Sequence, residues 1–446
     1  MNSQIFKLSN FKLFLMKSYS ETIQYLYDCL PVFHHIGSNA YKPGLDNTIR
    51  LMNALGDPFQ NYKTIHIAGT NGKGSVSHLI ASVLQSAGYN VGLYTSPHLV
   101  DFGERIKVNG EMIDQQYVID FVENNSILFD EIKPSFFEAT MAMSFKYFAD
   151  KEVDIAVIEV GLGGRLDSTN IINPILSIIT NISFDHIAFL GDTLEKIAYE
   201  KAGIIKMNTS VVIGETLTET RPVFIKKALE MNAPIIFADE FFQIKFEKYI
   251  LDKMLVTLNN ESKLMLGLNG LYQLKNLATV LASLNQLQKL GVELSESQIF
   301  NGIENVVELT GLKGRWQVLN KHPMVIADTG HNLAGISFVV EQLAKQKFNK
   351  LHIVIGMVND KDIQAVLAVL PAHAQYYFTQ AQIARALSAN ELEQKAFNFG
   401  LKGKVFLTVD EAIASALKNA LKNDLVLIGG SNFIVGEALN TDFFKE

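Results

Sequence analysis

A glycine-rich segment, Gly69-Thr70-Asn71-Gly72-Lys73-Gly74-Ser75, contains the residue types that bind a nucleotide phosphate. It follows an apolar run at residues 64–68 that is typical of a buried strand, and it opens a helical pattern reaching residue 87. Glycines let backbone N–H groups wrap a phosphate, Lys73 can bridge the β- and γ-phosphates, and the Ser75 hydroxyl can bind Mg²⁺. The strict P-loop spacing fails because Ile67 stands where its first glycine belongs. An ordinary glycine-rich turn is the alternative, but the order of strand, lysine, hydroxyl and helix favours nucleotide binding.

Two further positions carry metal-binding side chains. Glu159 lies near the end of an apolar run at 153–160, where a carboxylate is costly to bury unless it is paired or bound to a metal. At the carboxyl end of a parallel strand it would face the ligand crevice, as a Mg²⁺ ligand must; a carboxylate that caps a loop is the alternative. Asp185-His186 follows a strand predicted at 175–180. A lone histidine is more often structural, and Asp185 has the right chemistry to orient the imidazole.

The elements that must position these residues alternate between short β-branched runs and longer amphipathic ones. This pattern predicts an α/β protein with a mainly parallel, P-loop-type sheet covered on both faces. The predicted elements of this first domain are strands at 64–68, 90–94, 153–160 and 175–180, and helices at 75–87, 137–148 and 193–202. Residues 239–268 resemble hairpin strands added at the domain's edge.

A second alternation begins after the glycine-containing link at 311–314. Its predicted strands lie at 324–327, 351–355, 375–378, 404–407 and 425–428. Five strands in this length predict a smaller Rossmann-like α/β domain. We therefore divide the chain into an ATP-binding domain at 16–308 and a C-terminal ligase-type domain at 315–446, with residues 1–15 as a loose tail or an over-called start.

The composition excludes several classes of protein. The chain has 446 residues, is 48% hydrophobic and has a formal net charge of −7, with no basic block to bind nucleic acid or an anionic membrane. No apolar run reaches the ~18–20 residues of a membrane helix, and the N-terminus lacks the pattern of a signal peptide. The single cysteine, Cys29, excludes an internal disulfide or a cysteine zinc cage and suits a reducing cytoplasm.

The spelling GTNGKGS at 69–75 resembles the signature of the folylpolyglutamate synthase/dihydrofolate synthase family, a branch of the Mur ligase superfamily. Further blocks follow in the family's order and spacing. They are YTSPHL at 94–99 with ERI at 104–106, FFEAT at 136–140, EVGLGGRLDSTN at 159–170, DH at 185–186 and EKAGI at 200–204. The resemblance is weaker towards the C-terminus. GRW at 314–316 resembles a Gly-Arg element of the family, and DTGHN at 328–332 departs from the family pattern at Thr329 and Gly330. In GLYQ at 270–273, Tyr272 replaces a histidine.

The resemblance implies roles that the residues alone do not reveal. It makes Ser75, Glu159 and His186 magnesium ligands, and it makes Lys201 a carbamylated lysine that holds a second Mg²⁺. Without the resemblance, Lys201 would be interpreted as a solvated helix lysine. It places Arg105, Phe137 and Asp167 in a folate pocket. Without the resemblance, both Phe136 and Phe137 would be interpreted as core residues. It assigns the nucleotide-binding positions outside the glycine-rich loop to Asn276, Arg315, Asp328, His331 and Asn332.

The family further implies an ATP-dependent amide ligase that adds L-glutamate to dihydropteroate, to the γ-carboxylate of a reduced folate, or to both, through an acyl phosphate. We expect both activities, in a cytoplasmic monomer whose site is complete only when the two domains close. A cell-wall ligase of the Mur type and a P-loop ATP-binding module without ligase activity are the alternatives. The GTNGKGS spelling disfavours the first, and Lys73, Ser75, Glu159 and His186 together disfavour the second.

Overall fold

A computed structural model describes residues 18–30, 44–259, 262–359 and 361–444. The tail predicted at 1–15 lies outside these residues. The α/β class is confirmed, with two mainly parallel sheets and one small antiparallel sheet. Every strand of the second large sheet comes after residue 316, so we retain as a proposal the division of the chain near 308–314.

The first large sheet has eight strands within the described ranges, in the order β4-β3-β2-β5-β1-β6-β7-β8. Its strands are β1 (Lys63–Ala68), β2 (Val91–Tyr94), β3 (Ile106–Val108), β4 (Glu111–Met112), β5 (Ile155–Glu159), β6 (Leu176–Ile179), β7 (Val211–Ile213) and β8 (Ile235–Phe237). In this order, every neighbouring pair from β2 to β8 is parallel, and the pairs β2–β3 and β3–β4 are antiparallel. The central strands are buried throughout, which explains their uninterrupted apolar sequences.

The hairpin strands predicted within residues 239–268 are confirmed. They are β9 (Ile244–Ile250), β10 (Lys253–Leu258) and β11 (Ser262–Leu266), paired antiparallel. They form a sheet of their own instead of extending the eight-stranded sheet. Met254, Val256, Leu264 and Leu266 join the same hydrophobic core as the helix Lys73–Ser86, so this small sheet covers the helices on one face of the large one.

The second large sheet has six strands in the part of the chain that the structure describes, in the order β12-β13-β17-β14-β15-β16. Its strands are β12 (Gln317–Lys321), β13 (Met324–Asp328), β14 (Leu351–Ile355), β15 (Gln375–Phe378), β16 (Lys402–Val405) and β17 (Leu425–Gly429). Five are the predicted strands, with β16 shifted by two residues. The prediction missed β12, an antiparallel edge strand whose half-exposed residues lack a continuous apolar run.

Helices cover both large sheets. Their bounds are Tyr19–Cys29, Asp46–Ala54, Lys73–Ser86, Gln115–Asn124, Ser126–Ile132, Phe136–Asp150, Ile187–Leu190, Leu194–Ala202, Arg221–Glu230, Ala238–Phe241, Gln273–Lys289, Glu296–Glu304, Val306–Thr310, Leu333–Leu343, Ile363–Val369, Ala389–Phe397, Val409–Asn419 and Asn432–Asn440. Short 3₁₀ turns lie at Pro58–Asn61, Phe102–Arg105, Ser168–Ile171 and Asp442–Phe444. Among the described residues, none of these helices has the length and apolarity needed to cross a membrane.

The buried lysine Lys107 bonds the last helix of the first large domain, just before the link at 311–314. The Lys107 ammonium donates to the Thr310 carbonyl at 2.7 Å, at the end of the helix Val306–Thr310. The Thr310 hydroxyl contacts the His78 imidazole at 2.8 Å. Since Lys107 is only 4% exposed, no solvent replaces its bond to the carbonyl.

Replacing Lys107 by methionine should therefore lower the free energy of unfolding by about 1–3 kcal/mol, the usual cost of an unpaired buried polar group. The measurement is urea unfolding followed by circular dichroism, with the exposed Lys402→Met in β16 as the control. A Lys107→Met protein as stable as the control would show that the carbonyl finds another partner.

Candidate active site

The glycine-rich loop connects β1 to the helix Lys73–Ser86, with Gly72 at the helix N-cap. Two of its positions require glycine. Gly69 has φ +150°, and a Cβ there would lie 1.9 Å from the Thr180 hydroxyl oxygen. Gly72 has φ +83°, and its Cβ would lie 2.3 Å from Asn276 Oδ1. Among the described residues no side chain caps this helix, which leaves its first N–H groups available to a phosphate.

Residues that follow β6 hold the loop in shape. The Thr180 hydroxyl donates to the Asn71 carbonyl at 2.6 Å, and the Thr70 hydroxyl donates to the Ser183 carbonyl at 3.1 Å. The Asn71 amide N–H donates to the Asn181 side chain at 3.0 Å. The protein's own hydrogen bonds thus fix the backbone of the loop.

Two lysines approach the carbonyls of this loop. The Lys73 ammonium donates to the Gly69 and Thr70 carbonyls at 3.1 and 3.3 Å, and the Lys201 amine donates to the Gly69 carbonyl at 2.9 Å. Lys201 is 3% exposed, so the interpretation of this residue alone as a solvated lysine is wrong. Burial, together with the charge of Lys73, lowers the pKa of Lys201 to about 7. The lowered pKa favours the neutral, nucleophilic form of the Lys201 amine.

Glu159 is the last residue of β5 and is buried. Its Oε2 accepts a hydrogen bond from the Ser96 N–H at 3.2 Å. Burial raises the pKa of Glu159, while the charges of Lys73 and Arg315 and the bond from Ser96 act in the opposite direction. The carboxylate therefore lies in a cationic environment at the carboxyl end of the central strands, where its strand position predicted it.

A cavity of about 150 Å³ extends from the phosphate loop to the second large domain. Its first-domain wall includes Ser75, Glu159 and Asn276, and Arg315 lines the opposite wall. Gln273 donates to the Ser75 hydroxyl at 3.1 Å and accepts from the Asn276 amide at 2.7 Å. Polar side chains from both domains thus converge on the predicted nucleotide site.

The other C-terminal residues predicted at this site occupy different places. His331 lines the cavity, whereas the Asp328 carboxylate accepts from Tyr272 Oη at 2.7 Å and from the Trp316 and Gly330 N–H groups, each at 2.8 Å. Asp328 is therefore engaged by protein groups on both oxygens. Asn332 donates to Asn71 Oδ1 of the phosphate loop at 3.0 Å, which joins the two domains directly.

Asp185 joins the domains at a second point. Its carboxylate accepts from the Lys361 ammonium at 2.5 Å and from the Asn332 amide at 3.1 Å, and His331 Nε2 lies 3.5 Å away. Burial alone would raise the pKa of Asp185, but the hydrogen bond from His331 and the charges of His186 and Lys361 hold it well below the usual range. Asp185 Oδ1 also accepts from the His186 N–H at 2.8 Å and lies 3.9 Å from the His186 imidazole, so this carboxylate contacts both His186 and the C-terminal domain.

A second cavity, of about 240 Å³, adjoins the first and shares Lys73 with it. It is lined by Arg105, Phe137 and Asp167, the three residues that the resemblance assigns to a folate pocket, and by Phe136. The Arg105 guanidinium lies 5.3 Å from the centre of the Phe136 ring. The cavity therefore offers flat apolar faces and a cation, which suit a heterocycle that carries an anionic group.

Asp167 also organises the loop around it. Its oxygens accept from the Leu162 N–H at 2.8 Å and from the Thr169 N–H at 3.0 Å. Burial raises the pKa of Asp167, and these hydrogen bonds act against that rise. The nearby Gly161 has no room for a side chain, since its Cβ would lie 2.5 Å from the Phe137 ring. The loop thus packs closely behind the aromatic wall.

The predicted metal ligands are divided between the two cavities. Ser75 and Glu159 line the first, while His186 and Lys201 line the second. Within the described ranges, no group of three or more His, Cys, Asp or Glu side chains is placed to hold a metal. The Ser75 hydroxyl and the Glu159 carboxylate suit Mg²⁺, which takes few protein ligands and completes its shell with phosphate oxygens and water. His186 now faces the Lys361 ammonium at 3.5 Å.

Several residues of the site were not predicted from the sequence. Burial and the charge of Arg105 hold the pKa of His98 well below its usual range, so its imidazole is neutral. His98 Nδ1 can therefore accept the hydrogen bond from the Arg105 guanidinium, at 2.7 Å. Lys361, Arg385 and Phe433 form the C-terminal wall of the second cavity. His98 lies within the YTSPHL block and could have been found there, whereas the C-terminal residues are brought in only by the way the domains pack.

Two protein-family models match the chain. A family model described as "Mur ligase middle domain" matches residues 67–284, and one described as "Mur ligase, glutamate ligase domain" matches residues 314–432. The chain is 33% identical over 417 residues to the dihydrofolate synthase/folylpolyglutamate synthase of Bacillus subtilis, covering 89% of this chain and 94% of the relative.

Solved structures resemble the whole chain. E. coli FolC in complex with DHPP and ADP superposes with a TM-score of 0.82 at 30% identity, covering 96% of this chain and 98% of that one. A bifunctional folylpolyglutamate synthase/dihydrofolate synthase with Mn, AMPPNP and L-glutamate bound superposes with a TM-score of 0.80 at 27% identity, with the same coverage of both chains.

Proposed function

Because this chain belongs to the dihydrofolate synthase/folylpolyglutamate synthase family of Mur ligases, we propose that it joins L-glutamate both to dihydropteroate and to the γ-carboxylate of a reduced folate, with ATP as the energy source. The observation that carries this proposal is the position of Lys73. It lines both the cavity beside the phosphate loop and the aromatic cavity, so a γ-phosphate and an acceptor carboxylate can meet at its ammonium group.

The reaction must activate a carboxylate, which is a poor electrophile. A carboxylate oxygen of the acceptor attacks the γ-phosphorus of ATP, and the bond to the β-phosphate oxygen breaks to release ADP. The glutamate ammonium loses one proton to solvent, and its neutral amine attacks the acyl carbon. The C–O bond to phosphate then breaks, and the second proton of the nitrogen leaves with the inorganic phosphate. Both steps depend on alignment and on neutralising charge more than on covalent help from the protein.

The residues beside the phosphate loop would supply that charge. The N–H groups at the start of the helix Lys73–Ser86 hold phosphate oxygens, and Lys73 and Arg315 neutralise negative charge from opposite domains. Ser75 and Glu159 would hold one Mg²⁺, and His186 with a modified Lys201 would hold a second. When bound, Mg²⁺ supplies Lewis-acid stabilisation of the charge on the transferring phosphoryl group.

The modification of Lys201 is a carbamylation by dissolved CO₂. The neutral amine attacks the carbon of CO₂, an N–C bond forms, and one proton is released to give an anionic carbamate. The lowered pKa of Lys201 and its contact with the Gly69 carbonyl place a reactive amine beside the phosphate loop. A carbamate turns this cation into an oxygen ligand of the kind that Mg²⁺ prefers.

The second cavity accommodates the two molecules that are joined. Its first-domain wall would hold the pterin between aromatic faces, with Arg105 and Asp167 at its polar edge. Its C-terminal wall presents Lys361 and Arg385, two cations that suit the two carboxylates of L-glutamate. Arranged in this way, the glutamate amine faces an acyl phosphate formed beside Lys73.

Isotope transfer tests the proposed chemistry. With an acceptor whose carboxylate carries ¹⁸O, one ¹⁸O atom should appear in the inorganic phosphate, read by mass spectrometry. Phosphate free of the label would exclude an acyl phosphate. A cell-wall ligase would share this chemistry, so the acceptor itself must also be shown to gain glutamate.

Replacing Arg315 by alanine should lower kcat about 100-fold, the typical loss when one charge-stabilising group is removed. Dihydropteroate binding, measured by fluorescence titration, should stay unchanged, since Arg315 lines the nucleotide cavity and not the aromatic one. Arg50→Ala, an exposed arginine, is the control. Loss of dihydropteroate binding in Arg315→Ala would place this arginine in the acceptor site instead.

We also propose that the protein acts as a monomer in the cytoplasm. The free cysteine Cys29 is exposed, which suits a reducing compartment. Sedimentation at the enzyme's working concentration tests the oligomeric state.

A further inference from the structure

Tyr272, which has no role in the mechanism above, contacts the domain opposite its own. We propose that Tyr272 is a positioning residue that fixes Arg315 against the phosphate loop through a hydrogen bond to Asp328. The inference rests on the proposed function of Arg315 but adds a residue that acts through it.

The Asp328 carboxylate connects Tyr272 to the turn that carries Arg315. Its Oδ2 accepts both the Tyr272 hydroxyl at 2.7 Å and the Trp316 N–H at 2.8 Å, and its Oδ1 accepts the Gly330 N–H at 2.8 Å. Trp316 directly follows Arg315 in the chain. Because Asp328 is buried, removing the hydroxyl would leave one of its oxygens short of a donor that water cannot easily replace.

The backbone on both sides of Arg315 is bonded to residues at the end of β13, Trp316 to Asp328 and Gly314 to Thr329. Trp316 has φ +48°, a left-handed conformation that an aromatic residue adopts only when its surroundings hold it. On the other side, the Gly314 carbonyl accepts from the Thr329 N–H at 3.0 Å and from the Thr329 hydroxyl at 3.1 Å. Asp328 and Thr329, at the end of β13, thus bond the two residues that flank Arg315.

The guanidinium of Arg315 reaches from this turn to the first turn of the phosphate-loop helix. A Cβ built on Gly74 would lie 3.5 Å from its NH2 nitrogen. A shift of the Trp316 backbone would therefore move the guanidinium relative to the phosphates, and a misplacement of about 1 Å costs up to about 100-fold in rate.

Tyr272 is itself held firmly in the first domain. Its ring packs on Gly270, where a Cβ would lie 2.6 Å from the ring carbons. Its neighbour Gln273 donates to the Ser75 hydroxyl at 3.1 Å. Adjacent residues at the start of one helix thus bond the phosphate-loop hydroxyl directly and, through Asp328, the turn of Arg315.

The test begins with Tyr272→Phe, which removes only the hydroxyl. We expect kcat to fall about 10-fold with the KM for ATP changed less than about threefold, since the hydroxyl bonds Asp328 and not the nucleotide. In an Arg315→Ala background the same change should have no further effect on kcat. Tyr272→His, which restores a donor, should recover part of the loss. Tyr249→Phe, whose hydroxyl also contacts the other domain, at Gln342, is the control.

Trp316 is the only tryptophan of the chain, so its fluorescence reports the turn without any assay of activity. Tyr272→Phe should make this buried indole more accessible to acrylamide and shift its emission to the red, and Tyr249→Phe should do neither. Unchanged fluorescence, or losses in kcat that multiply with those of Arg315→Ala, would overturn the inference. A wild-type protein without glutamate-dependent turnover would instead refute the proposed function, and the fluorescence result would still decide the role of Tyr272.

Discussion

Lys73→Ala is expected to lower turnover by about 1,000-fold or more while the fold stays intact. Its side chain lines both cavities, and its ammonium donates to the Gly69 and Thr70 carbonyls of its own loop. A cation placed on the transferring phosphoryl group is worth about 10³–10⁵ in rate. The measurement is ADP release with saturating ATP, acceptor and glutamate.

The control for this variant is Lys63→Ala, which replaces an exposed lysine at the start of β1, the strand that leads into the phosphate loop. It should retain full activity. Circular dichroism must show both variants folded, because an unfolded Lys73→Ala protein would move this lysine from catalysis to structure. A folded variant with more than about a tenth of wild-type activity would contradict its place at the phosphates.

Lys201→Ala is expected to lose about 100–1,000-fold in kcat, the scale of losing one charge-stabilising group in a water-excluded site. Removing the side chain also leaves space for a small anion beside the Gly69 carbonyl. Acetate or formate at high concentration should therefore restore part of the activity, because a free carboxylate can replace the carbamate as a metal ligand. Turnover of the wild type should also fall after CO₂ and bicarbonate are removed.

Lys201→Arg separates the carbamate from an ordinary positive charge. Arginine keeps the cation but forms no carbamate, so it should be as inactive as Lys201→Ala. An active Lys201→Arg enzyme would show that Lys201 acts as a cation. Absence of extra density on its amine in a crystal structure would point the same way.

The sequence predicts the fold well where burial leaves a local pattern. The strands β1, β5, β14 and β17 are buried on both faces. Their sequences are therefore continuous apolar runs, which predict strands of a mainly parallel sheet. Residues 244–266 alternate in a way that identifies strands, but alternation does not say which sheet a strand joins. For that reason the small antiparallel sheet was not predicted as a separate one.

The site divides in the same way. The phosphate loop and Glu159 are local, since a glycine-rich turn after a strand and a carboxylate at a strand end are visible in a few residues. The burial of Lys201 is not local, because helix periodicity cannot show that its amine meets the carbonyl of Gly69, 132 positions away. The ion pair of Asp185 with Lys361 spans 176 positions and depends on how the domains pack.

The central claim is that the two cavities meeting at Lys73 serve glutamate transfer. The most direct test is ADP release with Mg-ATP and L-glutamate, comparing 7,8-dihydropteroate with tetrahydrofolate, with the product masses read by mass spectrometry. We predict that ADP release requires both acceptor and glutamate, and that each acceptor gains the mass of one glutamate residue. A gain on one acceptor alone would restrict the enzyme to one activity. ADP release that is indifferent to glutamate, with neither acceptor gaining mass, would contradict the claim.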